Sequence, residues 1–98
     1  MLYLVQFRDD PEKRNIRMEQ GPAHLDFLQA NSAKLRVAGS LRKEPDERAL
    51  GGIWIVEAQT SAEVRELINH DPFMKSGLRA SVEILVFSKA FPDINKAA

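Results

Sequence analysis

At 98 residues the chain has room for one domain and not two, and 44% apolar with 29% charged residues is the balance of an ordinary globular protein. Fourteen basic side chains offset fourteen acidic ones, which argues against nucleic acid and against a polybasic membrane surface. The absence of cysteine excludes disulfides, thiolate nucleophiles, Cys-ligated zinc and iron–sulfur clusters.

Leu2-Tyr3-Leu4-Val5-Gln6-Phe7 is rich in β-formers and apolar at both parities, the pattern of a buried strand. It lacks the positive region and long apolar core of a signal peptide, and no run is long enough to span a bilayer, so a cytoplasmic protein is expected. Asp9-Asp10-Pro11-Glu12 is a helix start: Asp10 caps, Pro11 suits the first helical position and Glu12 complements the dipole. The helix is predicted to reach about residue 32, with a kink or a fresh start at Gly21-Pro22 because Pro22 removes a backbone donor. His24, Leu25, Phe27 and Leu28 crowd one side of it.

Leu35, Val37, Gly39 and Leu41 alternate with Arg36, Ala38 and Ser40 as a second strand. Residues 42–50, charged and containing Pro45, read as a solvated connection, and Gly51-Gly52 introduces a third strand at Ile53-Trp54-Ile55-Val56. Thr60-Ser61-Ala62-Glu63 is a capping box, followed by Val64, Leu67 and Ile68 at helical spacing. That helix should stop near Asn69 or His70, ahead of Pro72. Asp71-Pro72-Phe73 and Gly77-Leu78 form a structured loop into a last strand over residues 81–87, with Val82, Ile84 and Val86 on one face and Glu83, Leu85 and Phe87 on the other. Residues 1–98 thus form one domain, with a core over about 1–91 and a tail at 92–98.

The order β-α-β-β-α-β predicts an α+β, ferredoxin-like fold with a four-stranded antiparallel sheet, both helices covering one face. The other face should then be polar if it meets water. Large apolar residues at both parities of the outer strands predict instead that a second copy covers it, giving a homodimer that packs sheet to sheet. A ligand pocket in a monomer is the competing explanation.

Two residues are candidates for chemistry. His24 suits a general base near neutral pH, against the plain alternative of a hydrogen-bonded structural histidine. Asp71 suits the partner that fixes a histidine tautomer, against the plain alternative of a cap for a short helical turn. In a split β-α-β fold both are able to reach the same end of the sheet. His70 is expected as an exposed helix-end residue. Trp54 and Phe73 read as core or as aromatic lining, and Ser40 lacks a neighbouring base; these three complete the pocket candidates. Two histidines among scattered acids give no metal-ligand spacing, no glycine pattern forms a phosphate loop, and no cofactor is expected.

The opening Met1-Leu2-Tyr3-Leu4-Val5, Pro22-Ala23-His24-Leu25 with Leu28, Val37-Ala38-Gly39, and Asp71-Pro72-Phe73 with Gly77-Leu78 resemble the YCII-related proteins, over residues 1–91. The resemblance implies a dimeric α/β barrel similar to muconolactone isomerases, with a pocket His–Asp pair at His24 and Asp71. Some relatives act in aromatic degradation, including dehydrochlorination of a chlorinated hydroxyhydroquinone. Two positions depart from the family pattern: Gly21 stands where an arginine is frequent, which weakens anion binding in the family manner, and Ser40 where a proline is frequent. Three functions compete: an enzyme moving a proton on a cyclic or aromatic small molecule by isomerisation, lactone chemistry or elimination; a non-catalytic metabolite-binding or stress-associated module; and a purely structural partner domain.

Overall fold

The computed structural model describes residues 1–91; the tail expected at 92–98 lies outside the described residues. Strands β1 (Leu2–Asp9), β2 (Leu35–Leu41), β3 (Gly51–Glu57) and β4 (Arg79–Phe87) form one sheet, in the order β2-β3-β1-β4. Every neighbouring pair is antiparallel. Helices α1 (Arg14–Ala30), α2 (Ser61–Asn69) and the short α3 (Pro72–Lys75) complete the β-α-β-β-α-β frame of a ferredoxin-like α+β domain.

Strand parity decides what is buried. Tyr3, Val5 and Phe7 of β1 point to the helices and join Trp54, Val56, Val64, Leu67 and Ile68 in the core. Phe7 meets Trp54 edge to face, with centroids 4.8 Å apart. Each such side chain contributes about 1.5–3 kcal/mol on burial. The α2 cap forms as its sequence requires, with Thr60 Oγ1 accepting from the Glu63 N–H at 3.2 Å.

Several expectations are refined. Asp10 does cap, accepting from the Glu12 N–H, but the turn it opens, Pro11–Lys13, is a 3-10 turn ahead of α1. Helix α1 runs unbroken through Pro22, so there is no fresh start. The missing Pro22 N–H deprives the Met18 carbonyl, in a turn where Met18 is strongly exposed and water can replace the bond. Gly51 and Gly52 lie inside β3, not ahead of it, because a Cβ on Gly51 would overlap the Phe7 carbonyl of the neighbouring strand. Leu35 does not share a face with Val37, Gly39 and Leu41: a register shift between Leu35 and Val37 turns Leu35 toward the helices, opposite Val56, and Val37 outward, opposite Ile55.

Helix α1 buries only Ile16 outright, while Phe27 and Leu28 lean on the core. It therefore leaves space between itself and β2. On the far face, register places Leu2, Leu4, Ile53, Ile55, Leu85 and Phe87 together, with Val37 and Leu41 beyond them. No helix covers this face among the described residues.

Candidate active site

The end of α2 builds one half of the site. His70 caps its C-terminus and lies exposed, with Nδ1 at 2.8 Å from the Glu66 carbonyl. One residue on, Asp71 is fully buried and caps α3, its Oδ1 accepting from the Phe73 N–H at 3.0 Å. Helix α3 closes in a Schellman motif: the Leu78 N–H bonds to the Phe73 carbonyl, the Gly77 N–H to the Met74 carbonyl, and Gly77 takes φ +85°. Leu78 packs with Phe73 and Ile16, so this turn delivers Arg79 to the start of β4 beneath α1.

Helix α1 supplies the other half. His24 Nδ1–H donates to Asp71 Oδ1 at 2.7 Å, and its ring stacks on Phe73 with centroids 3.9 Å apart at 13°. A carboxylate that already receives the Phe73 N–H on this oxygen acts as acceptor, which assigns the proton to Nδ1; among the described residues Nε2 has no protein partner. The two plain readings of Asp71 and His24 both hold: the same carboxylate oxygen caps a helix and orients an imidazole.

Around the pair lies a cavity of about 290 Å³ between α1, β2 and β3, lined by His24, Ser40, Trp54 and Phe73, and by Arg17 and Arg79. A cavity of about 150 Å³ takes benzene, so this one has room for a single substituted ring. Larger still is a depression of about 550 Å³ on the opposite sheet face, where Leu2, Val37, Ile55 and Phe87 lie beside Arg36, Glu57 and Lys89, and Glu57 is bonded to the Met1 amino group at 2.8 Å. The smaller one holds the imidazole bonded to a buried carboxylate. It lies on the helix side of the sheet, and its walls come from α1, β2 and β3 with Phe73 and Arg79.

Sequence reasoning missed three charged residues here. Asp9 receives Arg17 Nε at 2.7 Å on Oδ2 and Arg79 Nη1 at 3.0 Å on Oδ1. Arg79 Nη2 lies 3.8 Å from Asp71 Oδ2, an oxygen with no hydrogen bond of its own. Its guanidinium sits over the rings of Phe7 at 4.2 Å and Phe73 at 5.1 Å. Burial pushes the Arg79 guanidinium below its usual range, opposed by the carboxylates of Asp9 and Asp71. Arginine titrates so high that the group stays charged. The result is a chain of alternating sign, Arg17–Asp9–Arg79–Asp71, ending on His24. Among the described residues no group of three or more His, Asp or Glu side chains is placed to hold a metal, and no helix is long and apolar enough to cross a membrane.

Fold and cavity together define a ferredoxin-like α+β domain in which His24, bonded to the buried Asp71, lines a cavity beneath α1. The chain belongs to the YCII-related domain family, whose model matches residues 1–88. It is similar in structure to the 5-chloro-2-hydroxyhydroquinone dehydrochlorinase TftG of Burkholderia phenoliruptrix AC1100, solved in complex with 2,5-dihydroxybenzoquinone. The TM-score is 0.82 at 30% identity, over 92% of this chain and 96% of that one. A Bacteroides thetaiotaomicron VPI-5482 protein provisionally named an antibiotic biosynthesis monooxygenase shares the fold, with TM-score 0.56 at 17% identity over 94% and 90% of the two chains. Among curated proteins none matches the sequence.

Proposed function

We propose that this protein is an acid–base enzyme in which His24, oriented by Asp71, moves a proton on a cyclic or aromatic small molecule. The observation that carries the reading is the 2.7 Å bond from His24 Nδ1 to a fully buried carboxylate, beside a cavity sized for one ring. In an elimination, Nε2 takes a proton from an O–H or C–H group. On a halogenated hydroxyarene the imidazole first moves an O–H proton to the ring carbon that bears the halogen. It then takes a second O–H proton, the electron pair of that bond becomes a C=O π bond, a ring π pair shifts to the halogen-bearing carbon, and halide departs with its own bonding pair. In an isomerisation the imidazolium returns the proton to a second carbon. Asp71 holds the tautomer and stabilises the imidazolium, and Phe73 fixes the ring plane. The likeness to a dehydrochlorinase supports elimination as the first reaction to test.

His24→Ala should abolish turnover on halogenated hydroxyhydroquinones while circular dichroism stays native. Full activity in both His24→Ala and Asp71→Ala would sink the proposal. Saturable binding with no product on long incubation would make the cavity a receptor instead.

The second part of the proposal is a homodimer joined through the outer sheet faces. Supporting it are the exposed Val37, Leu41, Leu85 and Phe87, beside the half-buried Leu2, Leu4, Ile53 and Ile55. Covering what remains exposed gains each of them a fraction of the about 1.5–3 kcal/mol of a whole side chain, and summed over the face these fractions still rival the stability of a small domain. Light scattering should give twice the mass of one chain, and Leu85→Asp should halve it. A wild-type monomer at micromolar concentration excludes the dimer.

A further inference from the structure

Arg17, Gly21 and His24 follow one another at i, i+4 and i+7 on the α1 face that lines the cavity, a spacing that stacks residues along one stripe. Between the cation and the imidazole stands a residue without a side chain, and a Cβ built on Gly21 meets nothing within 4 Å. The stripe thus has a charged end, a gap and a basic end. Phe73 supports both ends: the His24 ring stacks on it, and Arg17 Cζ lies 5.2 Å from its centroid.

The two arginines are not equivalent. The Arg79 side chain is 2% exposed and is committed to Asp9 and Asp71. Arg17 is 25% exposed; its Nε donates to Asp9 and its Nη2 to the Gly51 carbonyl at 3.0 Å, and among the described residues Nη1 has no acceptor. The carboxylates that balance these charges are almost wholly buried, Asp9 at 5% and Asp71 at 0% side-chain exposure. What the cavity offers an incoming molecule is therefore a pre-oriented guanidinium at one end and an imidazole at the other.

We infer that the cavity takes a planar ring bearing an ionised oxygen, with Arg17 receiving that oxygen, the ring edge lying in the gap at Gly21, and the opposite edge presented to His24. This depends on the acid–base reading above only for the part given to His24.

The test uses 2,5-dihydroxybenzoquinone, ionised at neutral pH, against its neutral dimethyl ether, with affinities measured by calorimetry on the full chain. The wild type should bind the ionised ring at least about tenfold more tightly than the ether, the scale of a charge-assisted hydrogen bond. Arg17→Met and Arg17→Gln should remove that advantage, and Gly21→Leu should block both ligands. Binding of the ether as tightly as the ionised ring, no binding of the ionised ring at millimolar concentration, or unchanged affinity in a folded Arg17 variant would each overturn the inference. If both Arg17 variants fail to fold, the contrast between the two ligands on the wild type still decides it. His24→Asn should lose turnover and keep the Arg17-dependent affinity. Turnover surviving in His24→Asn strikes down the acid–base role and leaves the anion site standing.

Discussion

Asp71→Asn isolates what the buried carboxylate contributes to stability. The amide retains one oxygen, able to accept from the Phe73 N–H and from His24 Nδ1, so the α3 cap and the imidazole contact survive in outline. Replaced is Oδ2, which faces Arg79 Nη2 at 3.8 Å, by a nitrogen that donates toward a cation. Two unit charges at about 4 Å interact by about 4 kcal/mol at an effective dielectric of 20. Asn avoids the cost of burying a carboxylate, and Arg79 keeps Asp9 at 3.0 Å. A net loss of about 2–3 kcal/mol is therefore expected, below the 3–5 kcal/mol of a fully orphaned partner. For a domain this size that is a fall of about 8–24 °C in Tm, at about 4–8 °C per kcal/mol. Asp71→Ala also removes the α3 cap and leaves the Phe73 N–H unsatisfied, a further cost of about 1–3 kcal/mol. Urea titration followed by the single tryptophan, Trp54, measures both at fixed protein concentration, with an unchanged slope as the control. An Asn variant within about 0.5 kcal/mol of wild type, the range of an ordinary surface substitution, or an Ala variant no worse than Asn, would refute the reasoning.

Acid should destabilise the fold through paired surface carboxylates. Hydrogen bonds from Arg48 hold Asp46 down to about 2, and the Gln59 N–H holds Glu63 below its usual range. Depressed carboxylates contribute fully above their unfolded values and lose that contribution as pH falls through the folded ones. Urea midpoints should therefore decline between about pH 5 and about pH 2, and Asp46→Asn should flatten the lower part of that slope; a midpoint that rises on acidification contradicts the assignment. In β3, Gly52→Ala brings a Cβ to 2.8 Å from the Gly39 carbonyl and 3.6 Å from Arg79 Nη1, which should cost about 1–3 kcal/mol in a thermal melt. Gly51→Ala, overlapping the Phe7 carbonyl, should cost more, and the reverse order would show that β1 and β3 adjust freely there.

Much of the fold was legible because local signals agreed with the final packing. The Thr60 cap, the stop near His70 and the strand at the apolar run 2–7 all read the same way in the sequence and in the structure. Pro22 was overread: helix propensity counts the lost donor, but an exposed turn has water to replace it. His24 and Asp71 were found as candidates because residue type and fold topology were enough to bring α1 and the segment before α3 together. Their 47-residue separation carries no local signal.

Asp9, Arg17 and Arg79 were invisible for a more specific reason. Counting back along β4 from Val82, which faces the helices, strict alternation sends Arg79 to the outer face. The register instead shifts between Arg8 and Asp9, so that Arg8 pairs with Ser81 and Asp9 with Arg79. That irregularity in the ladder reverses the parity of Arg79 and turns a cation inward, where it meets Asp9 and approaches Asp71. Asp9 read as part of a helix start for the same reason: its acceptors answer cations from β4 and α1, neither of which is local to it. Removing Ala80, the residue skipped by the pairing, should therefore restore regular alternation, expel Arg79 from the site and leave Asp71 Oδ2 without a counter-charge. A deletion of Ala80 that folds, with the stability gap between wild type and Asp71→Asn undiminished, would show that the shift is not what holds the guanidinium in place.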